Sequence, residues 1–521
     1  MHPTMCPDCR QQRRLAFRNE RRLYHRKCDL TGKQVISLYS PDKPYKVYEQ
    51  KEWWGDQWDP LSFGRDFDFK RHFFEQFQEL LLAVPRANIY SKNNTNSDYT
   101  TNCDRIKNCY LSVDIANSEG IYYGKWVLNS KDCLEMYEDI YCELDYENLY
   151  SDGNYQCVYT LLSDHCSDCQ FLYDCKGCKY CFMCFGLRNK EYCIENKQVS
   201  KEDYDDFFKK IRIGSYEQYR KCVEIYENMI KKIPRKANIL TNCENCTGDF
   251  QYNCKNVKDS YDIISSEDVK YAYDASNIKD SMDVYEPAFN CELQYESYAC
   301  NRGVNIIGCA VSYDISDSYY CDICHNSANL FGCVGLKHKR YCILNKQYSR
   351  EEYEELIPKI IEHMKKTGEW GEFFPIQLSP FAYNESVAEE YFPLQKEEVL
   401  ERGWKWQEEE KVSQQCIGSK THIPDHIDDA DESICGKILF CEVTGKLYKI
   451  IPQEFQFYKK MGIPIPRRCP DQRYKERMER RNPRKLWSRI CMKCQAAIST
   501  SYAPDRQEIV YCENCYLKEV Y

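Results

Sequence analysis

Apolar residues in the middle of the chain come in short pairs rather than along helical faces. NVKDSYDI from Asn256, DVKYAYDA from Asp268 and NIKDSMDV from Asn277 each carry such a pair, and Asn, Asp, Ser and Gly separate pairs every nine to twelve residues. Strands this short cannot bury a face alone. An even series of them predicts a mainly β fold, a stacked β-solenoid of the parallel β-helix kind with short helices. Cysteines keep the beat: Cys157, Cys166, Cys175, Cys184 and Cys193 fall nine apart, as do Cys291, Cys300 and Cys309. A nine-residue half-turn would set one such side chain at equivalent places in successive coils.

The pattern is used twice. Cys184–Ile211 (CFGLRNKEYCIENKQVSKEDYDDFFKKI) recurs without a gap 149 residues later as Cys333–Ile360 (CVGLKHKRYCILNKQYSREEYEELIPKI), and VPRANI at Val84 matches IPRKANI at Ile233. Each copy closes on a predicted helix with Ser200 or Ser349 as N-cap and acidic residues in its first turn. A further helix over Tyr216–Lys232 links the copies and stops near Pro234. The two ends of the chain also match: the segment from Cys6 aligns ungapped with the segment from Cys469, 463 residues on. The predicted order is an N-terminal zinc-ribbon-like module (1–55), an aromatic helical connector (56–84), two solenoid units (85–232 and 233–367) and an extended aromatic connector (368–412). A degenerate ribbon-like segment (413–468) and a C-terminal zinc ribbon (469–521) complete it.

Composition changes the picture chiefly through sulfur. The 521 residues include 34 Cys but no apolar run near the roughly 18 residues of a membrane span. Residues 1–14 lack the apolar core of a secretory signal, so a cytoplasmic protein with reduced thiols is expected. Metal ligation or burial therefore comes before disulfides. Cys491-x2-Cys494 and Cys512-x2-Cys515 have the spacing of two knuckles that bring four thiolates to one structural Zn2+. Cys6, Cys9, His25 and Cys28 supply the ligand types of a second site, although His25 equally suits one more basic residue on a helix. Cys441 and Cys469 are what remains of another knuckle pair, with Thr444 and Gln472 at the other two places. Zinc there would need Cys416, Cys435, His422 or His426, and an empty packed knuckle fits as well.

Cys175-x2-Cys178-x2-Cys181-x2-Cys184 is similar to an iron–sulfur run, but its last spacing is x2 and no Pro follows. The sister copy argues for packing. At the 149-residue offset Cys178 faces Ser327, Cys181 faces Leu330, Cys157 faces Ile306 and Cys166 faces Ile315, while Leu172 faces Cys321. Positions that accept Cys, Ile or Leu interchangeably behave as interior slots.

The net charge of −9 hides basic clusters. Arg13, Arg14, Arg18, Arg21 and Arg22 precede Cys28, and Arg473, Arg477, Arg480, Arg481, Arg484 and Lys485 with Trp487 form the matching stretch. Clustered guanidinium groups with interleaved aromatics suit nucleic-acid phosphates and bases. They equally suit docking of the terminal modules on an acidic solenoid through carboxylate pairs. No phosphate loop, nucleotide-cofactor fingerprint or hydrolase motif appears, and Asp139, Glu143, Asp145 and Glu147 read as solvated strand-face acids. The expected function is non-enzymatic RNA or DNA binding, with a protein-binding scaffold as the alternative and a solenoid-face enzyme third.

Cys441–Arg473 resembles zinc-ribbon domains of the CPxCR type. More widely, CPDCRQQRRLAFRNERRLYHRKCDLTGK, GLRNKEYCIENKQVSKEDY, SPFAYNES and QEFQFYKKMGIPIPRRCP resemble an uncharacterised zinc-ribbon protein family of candidate-phylum bacteria with reduced genomes. The resemblance covers nearly the whole chain; it implies a kind of protein and supplies no known activity.

Overall fold

The computed structural model describes residues 3–285, 292–298, 300–301, 304–408 and 421–520. The chain is mostly sheet, with parallel strands and some helices. Two 13-stranded sheets carry the centre, one running from the strand Ser91–Lys92 to Lys197–Gln198, the other from Leu240–Thr241 to Lys346–Gln347.

Pairing does not follow the expected nine-residue step. Strands pair in parallel with the chain twelve residues on, as Tyr137 with Leu149, Val158 with Gln170 and Tyr261 with Tyr273. The step of twelve is divided into triplets. From Asn102 to Glu195 every third residue takes left-handed backbone, with φ between 45° and 68°. Asn, Asp and Gly adopt that region most readily; each other L-residue there costs roughly 1–2 kcal/mol. Backbone bonds between successive turns offset the cost, the corner amides of Tyr123 and Tyr159 donating to Tyr110 O (3.0 Å) and Tyr146 O (2.8 Å).

Through most of the series the residue after a corner is buried. Cys133, Met136, Asp139, Cys142 and Asp145 follow one another at this spacing, none more than 1% exposed. Cys175, Cys178, Cys181 and Cys184 are thus the four interior positions of a single twelve-residue step, which is why their spacing is x2 throughout. Residues nine apart stand three triplets on, one triplet short of the paired register. Several thiols reach the carbonyl nine residues on, Cys157 Sγ to Cys166 O at 3.4 Å and Cys184 Sγ to Cys193 O at 3.6 Å, while others, such as Cys178, meet only the carbonyl two residues back. Cys291 lies outside the described residues. Ser and Asn occupy the same slots and meet the same groups, since Ser112 Oγ donates to Tyr110 O and Asn154 Oδ1 accepts the Cys166 amide. Asp139 and Asp145 occupy two more of these slots and are fully buried, correcting the solvated reading.

Each sheet ends in a short antiparallel hairpin, after which comes the capped helix expected from the sequence. Ser200 caps Lys201–Ile211, and Ser349 with Glu352 forms a capping box on Arg350–Thr367. The linking helix is Tyr216–Ile230. The segment after residue 368 is not simply extended but makes short helical turns, including Ala388–Tyr391 and Lys396–Glu401. It is anchored by Phe373 and Phe374, the former meeting Phe17 edge-on at 5.4 Å.

Both chain ends span both sheets. The N-terminal helix Pro7–Leu15 lies on the second sheet through Arg10 and Asp283 (2.8 Å), while the strand Val47–Tyr48 pairs with Arg86–Ala87 ahead of the first. The helix Pro470–Glu479 lies on the first sheet through Arg473 and Glu135 (2.8 Å), while Val510–Tyr511 pairs with Arg235–Lys236 ahead of the second.

Candidate metal centre and arginine clusters

The four C-terminal cysteines converge. Trp487–Ile490 pairs antiparallel with Ala497–Thr500, which folds Cys491 and Cys494 into a tight turn where Gln495 takes left-handed backbone. Cys512 and Cys515 come from the boundary between the strand Val510–Tyr511 and the helix Glu513–Val520. All four sulfur atoms lie within 4.8 Å of one another. A tetrahedral Zn–S4 centre with bonds of about 2.3 Å has sulfur–sulfur edges of about 3.8 Å, and Cys494 Sγ to Cys512 Sγ is 3.8 Å. Cys491 Sγ accepts the Cys512 amide at 3.2 Å. Despite burial, such backbone bonds hold the Cys491 thiol down to about 6, whereas burial and the neighbouring sulfurs push Cys515 up to about 12. A cation removes that repulsion, so the group could hold a metal ion.

The other cysteine sets do not form such a group. At the N-terminus Cys6 Sγ accepts the Cys9 amide and Cys28 Sγ accepts the Glu49 amide, while His25 is exposed in the strand Tyr24–Lys27. Cys6, Cys9, His25 and Cys28 do not bring three ligand atoms within 4.8 Å. Cys441 and Cys469 meet Thr444, whose Oγ1 is 3.8 Å from Cys469 Sγ, and no further ligand among the described residues completes them. His426 is engaged elsewhere, accepting the Asp428 amide, and Cys416 lies outside the described residues. The interior thiols of the sheets also form no such group among the described residues.

Most of the arginines expected to meet phosphates are in the protein interior. Arg14 is fully buried 3.3 Å from Asp283, Arg13 meets Glu372 at 2.8 Å and Arg18 meets Asp114 at 2.6 Å. Arg473 lies between Glu135 (2.8 Å) and Glu454 (3.3 Å), and Arg477 also contacts Glu135. Arg481 binds Glu390 at 2.6 Å, and Arg484 contacts Asp262 at 2.9 Å and Asp274. Arg21 pairs with Asp471 and stacks on Tyr474 at 3.7 Å. Arg22 and Lys485 are exposed, Trp487 is half-buried, and Arg480 lies over the Tyr159 ring at 4.0 Å. A buried guanidinium without an anion is costly, which gives each pair its hold. Burial alone would raise Glu20, but Arg18 and Lys125 hold it at about 2.

Glu135, Glu454, Asp283, Asp262 and Asp274 were not singled out in the sequence. Glu135, Asp262, Asp274 and Asp283 share one usable signal, an acid at a left-handed corner facing an Arg-rich helix, whereas Glu454 lies in the helix Pro452–Met461. Glu138, Asp262 and Asp274 also bring three carboxylate oxygens within 4.8 Å, but Arg484 already supplies a positive charge there. No helix among the described residues is long and apolar enough to cross a membrane. Comparison with models of known protein families and with curated proteins finds no match.

Proposed function

We propose that the chain is a non-enzymatic binding scaffold of the cytoplasm. In this reading the two sheets are two copies of one β-solenoid unit with twelve-residue coils, and two related terminal modules clamp them, the C-terminal one as a ribbon around structural zinc. The carrying observation is the burial of the basic helices' guanidinium groups against carboxylates of the sheets. Arginines committed in this way hold a clamp and are withdrawn from solvent. Extended repeat surfaces commonly serve as platforms for protein partners.

Nucleic-acid binding is the second reading, favoured by the basic side chains left outside, Arg22, Lys27 and Lys485. Retention on immobilised RNA and duplex DNA at low salt separates the two. The scaffold reading expects no retention beyond that on a neutral resin. Salt-sensitive retention that is lost in an Arg22→Ala, Lys27→Ala, Lys485→Ala variant would replace it with the nucleic-acid reading.

A further inference from the structure

Two junctions of one design differ in their charge. In the first, Val47–Tyr48 meets Arg86–Ala87; in the second, Val510–Tyr511 meets Arg235–Lys236. Residues correspond at the two sequence offsets: Arg86 with Arg235, Tyr39 with Tyr502 and Asn19 with Asn482. At the first junction both terminal nitrogens of Arg86 donate to Asp322 at 2.6 Å. Phe17 packs beside them, and the remaining cavity is about 10 Å³.

At the second junction Tyr173 stands where Asp322 would, and Arg480 stands where Phe17 would. One counter-ion is gone and one cation has been added. The cavity here is about 450 Å³. Arg235 is 5% exposed, lies over the Tyr173 ring at 3.9 Å, and its Nε has no hydrogen-bond partner. Arg480 has only long contacts to the carbonyls of Glu147 (3.4 Å) and Thr160 (3.5 Å) besides the Tyr159 ring. Neither has a carboxylate at ion-pair distance among the described residues. Of the acids that line the cavity, Glu508 pairs with Arg506, Glu476 with Arg468 at 2.6 Å, Glu479 with Lys475 at 4.0 Å and Glu227 with the Tyr159 hydroxyl at 3.1 Å, while Glu147 faces Arg480 without reaching ion-pair distance.

We infer that this cavity is a binding site for an organic phosphate. A buried guanidinium without an anion is unfavourable, and its planar fork matches phosphate oxygens. The cavity falls within the roughly 300–1,000 Å³ of small-molecule sites, which leaves room for an organic body on the phosphate. The stacked pair Tyr150 and Phe250, with ring centroids 4.0 Å apart, lines it beside the arginines. The inference stands apart from the scaffold reading, since a ligand here is compatible with either role of the outer surface.

Calorimetric titration of the full chain with adenosine monophosphate, inorganic phosphate and adenosine tests it. The monophosphate binds, phosphate binds more weakly, and adenosine does not. An Arg235→Met, Arg480→Met variant loses at least tenfold in affinity for the monophosphate while melting no lower without ligand, because unpaired buried charge has been removed. Tyr173→Asp restores the counter-ion of the first junction, so it raises the melting temperature and abolishes binding, even if the double variant fails to fold. A 5′-phosphorylated oligonucleotide binding tighter than the monophosphate identifies a nucleic-acid end as the source, the reverse order a free nucleotide, and either order supports the site. Adenosine matching the monophosphate, no response to either anion at millimolar concentration, or undiminished affinity in Tyr173→Asp overturns it.

Discussion

Replacing Glu135 with Gln should loosen the helix Pro470–Glu479 more than any surface change. Glu135 is fully buried at a left-handed corner of the first sheet and meets both Arg473, at 2.8 Å, and Arg477. Arg473 keeps Glu454 at 3.3 Å after the change, but Arg477 is left with no carboxylate partner among the described residues. Removing one member of a buried pair typically costs about 3–5 kcal/mol, because the remaining charge stays desolvated. With every 1.4 kcal/mol worth a factor of ten, local opening of the helix should increase by roughly a hundredfold or more. Hydrogen exchange of the amides of Pro470–Glu479 reads that opening directly, without requiring the whole chain to unfold in one step. Adding Arg477→Met should restore at least half of the protection, since it removes the stranded charge. A change below about 1 kcal/mol, the value of an exposed pair, would refute the claim that these arginines hold the clamp.

Cys178→Ser should cost less than about 1 kcal/mol by thermal unfolding, because Ser327 occupies the matching slot and donates to His325 O at 2.8 Å. Cys178→Leu should cost about 1–3 kcal/mol through overpacking of the same slot. Burial pushes the Asp145 carboxyl up to about 7, so the folded state keeps a proton that the unfolded chain releases near pH 4. Its contribution is full below about pH 4 and is lost as pH rises towards 7; urea unfolding of Asp145→Asn, the residue that Asn154 already supplies nine positions on, should lack that loss. Gly248→Ala should prevent normal packing of the second sheet, since a Cβ there would lie 1.8 Å from Ser260 O on backbone with φ 135°. Circular dichroism and melting temperature check it.

The sequence pattern was enough to predict parallel stacking, capped closing helices and interior thiols, because each depends on local chemistry. Apolar pairs bounded by Asn and Asp mark short strands, and Ser200 and Ser349 cap helices by their own side chains. The step length was misread because the Cys beat of nine spans three triplets, whereas pairing spans four. The four-cysteine group of Cys491, Cys494, Cys512 and Cys515 was legible since its members come as two pairs close in sequence. The destination of the arginines was not. Whether Arg477 faces solvent or Glu135 depends on a contact 342 residues away, and composition distinguishes neither. Asp145 misled for a related reason: acids look solvated until the triplet that turns them inward is known.

The central claim is that sulfur inside the sheets is filler and that metal belongs to the C-terminal knuckles. Elemental analysis of the purified chain together with its visible absorption spectrum tests it most directly. The account predicts about one zinc per chain, absent from a Cys491→Ser, Cys494→Ser variant, and no visible band. Iron with acid-labile sulfide, or a metal content unchanged in that variant, would contradict it.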